Sequence, residues 1–143
     1  MSAGLGSDTR AVLLAAGLIF LWALLLGVWK YRQMAASSEG LAHPYVDVAH
    51  RAALLYSFAS LLIAAFVELS DWSTAVNTVA AFAAIGFFVA AIAIYCWHGY
   101  TRDTDNQLRE PIAGTHAFMW ALIIGEVGGF SVILAGFISA QVL

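Results

Sequence analysis

The chain has 143 residues, 62% of them hydrophobic and only 10% charged, with a mean hydropathy of +0.85. That balance excludes an ordinary water-soluble domain, and a net charge of −3, scattered along the chain, does not suit a nucleic acid or any strongly charged partner. The lone Cys96 excludes an intrachain disulfide and any multi-cysteine metal site.

Crossing a hydrocarbon core takes about 20 helical residues. Four apolar runs meet that length, at roughly 11–29, 50–69, 74–97 and 115–143. The expected fold is an all-α integral membrane four-helix bundle, one domain over residues 1–143, with almost no mass outside the bilayer. Ser2 to Asp8 reads as a short, loose polar tail. The first run has only Arg10 before it and Lys30 and Arg32 directly after it, which suits a retained span better than a cleaved signal. Trp29, Lys30 and Tyr31 then form an interfacial anchor.

The loop from Gln33 to Asp47 carries SSEG and a His43-Pro44 pair, and proline disfavours helix at the residue before it. Asp47 is placed to cap the second helix near the positive end of its dipole. That helix leaves through ELSDWS, with Trp72 at the interface. The third carries the small-residue string AAFAAIGFFVAAIAI, which admits a close neighbouring backbone, and ends in YCWHGYTRDTDNQLRE, the densest polar segment of the chain. The fourth opens at Thr115 and His116 and has Gly125 and Gly129 in a GxxxG pair, suited either to packing within the chain or to contact with another copy.

Of the six basic residues, Lys30, Arg32 and Arg51 flank the first loop, Arg102 and Arg109 lie in the third, and only Arg10 falls on the opposite side. The positive-inside rule therefore puts loops 30–49 and 98–114 in the cytoplasm and both termini outside, in a multi-pass inner-membrane protein.

With that orientation His50, His98 and His116 stand at the cytoplasmic boundary and His43 just beyond it. The stretch AHPYVDVAHRAALLYS alone brings together two histidines, an aspartate, an arginine and two tyrosines. Tyr95 lies about one turn inside His98, and Tyr56 lies roughly 9 Å deeper than His50 at 1.5 Å per residue. Such residues also serve as interface anchors without any ligand. Imidazole at a span's end suits haem iron, whereas zinc would need three or four ligands at short spacing. Glu126, about 15 Å beyond His116, is an ionisable group near mid-membrane, either functional or a neutral carboxyl bridging helices. Arg102, Asp103, Asp105, Asn106 and Arg109 read as a solvated loop with local ion pairs, placed also to meet an entering substrate or haem propionates. On a helical wheel Tyr56 points about 120° away from His50, so the two do not share one narrow face.

The run AHRAALLYS, Ala49 to Ser57, resembles the start of the second helix in the family of styrene oxide isomerase and hydroxylaminobenzene mutase, small four-helix membrane enzymes. In the isomerase the matching histidine is the axial haem ligand, with a catalytic tyrosine 45 residues downstream; His50 and Tyr95 have the same separation here. The resemblance implies haem b held by His50 between the subunits of a homotrimer, and a small aromatic epoxide or aryl hydroxylamine rearranged without net redox change. Tyr95 would orient the substrate or stabilise developing charge, with Tyr56 as a second catalytic candidate and His98, His116, Arg102 and Arg109 as further cofactor contacts. Departures lie at Tyr56, where the isomerase has an asparagine near the substrate, at Ser57, which replaces a glycine, and in TRDTDNQL, which replaces a proline-asparagine-arginine segment. The rival expectation is a haem- or quinone-binding subunit of an electron-transfer complex, in which His50 and either His98 or His116 supply two axial ligands. A scaffold protein without cofactor is the third.

Overall fold

The structure, a computed structural model, describes residues 4–143. Four helices follow one another: α1 (Ser7–Ala36), α2 (Pro44–Glu68), α3 (Thr74–Thr101) and α4 (Thr115–Gln141), with no strand among the described residues. Each is long and apolar enough to cross a bilayer. A continuous helix of such length would keep every backbone group across a hydrocarbon core bonded within its own segment. Hydroxyls in the spans are met the same way: Ser57 and Ser60 donate to the carbonyls of Leu54 and Tyr56, and Thr78 to that of Thr74.

Two boundaries differ from those expected. α2 begins at Pro44 rather than near His50, and its N-cap is His43 rather than Asp47: the His43 Nδ1 accepts from the Tyr45 amide at 3.3 Å. Proline at the first helical position loses only an N–H that would have been unsatisfied there, so Pro44 starts the helix where it was expected to prolong the loop. Asp47 remains in the first turn, where it pairs with Lys30 of α1 at 2.5 Å and with Arg51 at 2.8 Å. The first connection thus shrinks to residues 37–43. α1 is likewise longer than 11–29 at both ends, and α3 runs four residues beyond Trp97.

The polar segment before Arg10 is no loose tail from Ser7 onward. Asp8 is only 7% exposed and accepts from the Asn77 side-chain amide at 3.2 Å. Thr9 donates through its hydroxyl to Glu68 at 2.6 Å, and the Gly6 amide donates to the same carboxylate oxygen at 3.4 Å, so the C-terminal end of α2 is tied to the start of α1. Asn77, 2% exposed, also donates to the carbonyls of Val67 and Trp72. Trp72 in turn donates to the Val132 carbonyl of α4 at 2.7 Å. All four helices are tied at this terminal end. The opposite end, bearing connections 37–43 and 102–114, is the histidine end.

α1 packs along α2, and α3 receives both α2 and α4. The core joins Val12, Ile19, Leu26, Ile63, Ile85, Ile92 and Ile133 with a run of alanines. α4 buries only Gly129, Ile133 and Gly136. Its glycines serve intrachain packing: Gly125 lies against the Phe87 ring, and a Cβ on Gly129 would come within 2.5 Å of the Ala80 carbonyl oxygen. Backbone cannot yield as a side chain can. Gly129→Leu is therefore expected to destabilise the bundle by about 1–3 kcal/mol through overpacking, whereas Gly128→Ala, which meets nothing within 4 Å, should not. Thermal unfolding of the two variants in the same detergent checks this, and equal midpoints would place α4 elsewhere.

Candidate functional site

At the histidine end the sequence-derived residues separate into two groups on different faces of α2. His50 turns toward α1, where its Nδ1 lies 2.9 Å from the Ala23 carbonyl oxygen. A carbonyl only accepts, so Nδ1 carries the proton and Nε2 is the nitrogen left to accept or ligate. The ring rests against Gly27, where an added Cβ would come within 2.9 Å of its Cε1. Ala23 and Gly27, one turn apart on α1, thus form a cradle that a larger residue at 27 would fill.

The second group is built around Tyr45, buried in the first turn of α2. Its ring stacks on Tyr95 with centroids 5.9 Å apart and tilts against His98 at 5.0 Å, and His43 stacks beside it at 6.3 Å. Its hydroxyl accepts from the Gln107 amide at 2.7 Å. The connection after α3 is pinned here as well: His98 Nδ1 meets Asp103 at 2.8 Å, Thr101 donates to the same carboxylate oxygen, and His43 Nε2 reaches Asp105 at 3.2 Å. Arg102, at the C-cap of α3, adopts the left-handed conformation with φ 54° and turns the chain into this segment. The His98 imidazole first, and then the Thr101 hydroxyl, hold the Asp103 carboxyl below the ordinary aspartate value of 3.8. A depressed carboxyl contributes above that value, and its contribution is lost as pH falls through the lowered one.

His50, His98 and His116 do not converge. His50 faces α1, His98 is bonded to Asp103, and His116 is exposed at the start of α4. The pairing of His50 with His98 or His116 as two axial ligands is therefore not formed within one chain. Arg102 and Arg109 are exposed in the connection, and Arg102 lines a groove together with Trp29 and Arg32 of α1. Among the described residues, no three His, Cys, Asp or Glu side chains come together around a possible metal position; a single axial histidine does not require such a group.

Tyr56 faces α3, stacked on Phe88 at 4.2 Å with the rings 10° from parallel, and so it is apart from His50, as the wheel requires. Glu126 stands on α4, partly buried. Its Oε1 is buried without a hydrogen-bond partner among the described residues. Between α3, the connection and α4 opens a cavity of about 500 Å³, walled by Ile94, Trp97, Phe118 and Met119 and holding His98 and Asp103. Tyr45 is the residue of this cluster least visible in the sequence; its position directly after a His-Pro start is the signal that could have found it.

Tyr45→Phe removes the acceptor for the Gln107 amide and should loosen the connection. Faster tryptic cleavage at Arg102 and Arg109 is the expected result, and an unchanged digestion rate would show that Tyr45 does not hold the segment. In comparisons with known proteins, the chain matches no family model, no curated protein and no solved structure.

Proposed function

We propose that the chain is a haem-dependent isomerase of the inner membrane, acting on a small aromatic epoxide or aryl hydroxylamine that reaches it through the bilayer. The observation that carries this reading is the state of His50: a proton-bearing Nδ1 held by the Ala23 carbonyl, a glycine cradle for the ring, and Nε2 left as the ligating nitrogen. Metal-bound histidines characteristically donate their second nitrogen to a carbonyl or carboxylate, which fixes the tautomer and the ring plane. His50, with Nδ1 on the Ala23 carbonyl and Nε2 without a hydrogen-bond partner, would be the residue to hold haem. When bound, ferric haem supplies a Lewis acid that polarises a C–O or N–O bond without net redox change.

The protein's own contributions follow from its side chains. Tyr95, held in plane by Tyr45, offers a hydroxyl to hydrogen-bond the substrate or the charge that develops on it. Tyr56 is the second candidate for that role, from the deeper position against Phe88. Apolar span residues keep water from an electron-deficient carbon during rearrangement. His50 and Tyr95 turn to different sides of α2 within one chain, which suits a site completed at a boundary between copies, a homotrimer in this reading. The distribution of basic residues supports cytoplasmic connections at the histidine end and both termini outside. For the electron-transfer alternative, a second axial histidine would have to come from another copy or another subunit.

Protein purified from haem-supplied cells should show a Soret band that His50→Ala abolishes. Gly27→Leu should weaken the band strongly by displacing the imidazole, while Gly17→Leu, at a position with open space around it, should not. A full Soret band in His50→Ala would remove the proposed ligand. Tyr95→Phe should retain haem but lower turnover of an aryl epoxide or hydroxylamine by about 10²-fold, the scale of removing one hydrogen bond to developing charge; undiminished turnover would shift the role to Tyr56.

A further inference from the structure

The cavity between α3, the connection and α4 is separate from the His50 cradle, and the reading above leaves it unused. Its volume, about 500 Å³, lies within the roughly 300–1,000 Å³ of small-molecule sites. Two observations define what it would take. The first is its wall chemistry: the body of the cavity is apolar and aromatic, through Ile94, Trp97, Phe118 and Met119, and its lining includes the carboxylates of Asp103 and Glu110 but no lysine or arginine. That excludes an anionic ligand and admits a flat, neutral one.

The second is the imidazole. His98 lies against Tyr45 and is bonded through Nδ1 to Asp103. Asp103 as a carboxylate can only accept, so Nδ1–H donates to it, and a ring that carries no second proton presents Nε2 as an acceptor. Among the described residues Nε2 has no hydrogen-bond partner, and the His98 side chain is only 13% exposed. An unpartnered acceptor on a mostly shielded ring, at the mouth of an aromatic cavity, suits a donor on an aromatic body.

We propose that this cavity binds a small neutral aromatic molecule bearing a hydrogen-bond donor, an aryl O–H or N–H, with the ring between Trp97 and Phe118 and the donor on His98 Nε2. Asp103 acts as the positioning residue, setting the tautomer and the plane of the imidazole. Binding here does not depend on haem at His50, so the two assignments fail separately.

The test is equilibrium binding to the full chain in lipid nanodiscs at about pH 8, above the ordinary histidine range, with 2-naphthol as the probe and 2-methoxynaphthalene as its donor-free counterpart; empty nanodiscs subtract partition into lipid. 2-Naphthol should bind saturably, about three- to tenfold more tightly than the ether, the value of one net hydrogen bond. His98→Leu and His98→Phe, which both lack an acceptor, should erase that difference while leaving residual binding of both probes. Asp103→Asn should reduce it, and Ala113→Trp, which places an indole in the cavity, should abolish binding of both. Should His98→Leu fail to fold, His98→Phe and Ala113→Trp decide. Equal affinities for the two probes, or binding indifferent to Ala113→Trp, would overturn the proposal. So would the absence of saturable binding with phospholipid retained one to one, which would assign the cavity to a lipid headgroup.

Discussion

A backbone placed in hydrocarbon has no water to bond, and each unmet N–H or C=O costs several kcal/mol. Continuous helices satisfy the groups within each span but leave unpaired groups at every terminus. The polar side chains of this protein are largely the answer to those termini. Glu68 and Asp8 accept from the Gly6 and Thr9 amides at the start of α1, and His43 and Ser73 cap the starts of α2 and α3. Chemistry at the histidine end is therefore built from groups that also hold helix ends, and His98, beside the C-cap of α3, is the clearest case.

Packing between spans follows from a second constraint. Inside a bilayer apolar surface gains little by leaving lipid, so helices associate through close contact and polar bonds. Gly129 and the alanines of α3 provide the first, and the terminal network provides the second. Gly27 uses the same device differently: the missing side chain makes room for an imidazole rather than for a helix. A small residue in a span can thus mark a side chain seated from the neighbouring helix, which composition alone does not distinguish.

Four spans were legible because hydrocarbon thickness sets a length that composition reveals directly. The starts of α3 at Thr74 and α4 at Thr115 agree with the sequence, since Ser73 is a strong N-cap and Gly114, with φ 95°, breaks the chain before the last helix. The start of α2 was less legible, because histidine is an uncommon cap and Pro44 suits either a loop or a first turn. The grouping of histidines at one end could be read, but their partners could not. Whether His50 meets Ala23 or His98 meets Asp103 depends on how each helix is rotated about its axis, which near-uniform hydrophobicity in α1 and α4 leaves open. Asp8 and Asn77 escaped notice for a related reason: only the tertiary arrangement shows that they lie side by side.

The seating of α4 has a consequence for the cavity beside His98. α4 packs mainly on α3 and buries only Ile133 and two glycines of its own. The cavity takes Phe118 and Met119 of α4 for one wall, so its width follows the angle at which α4 rests on α3.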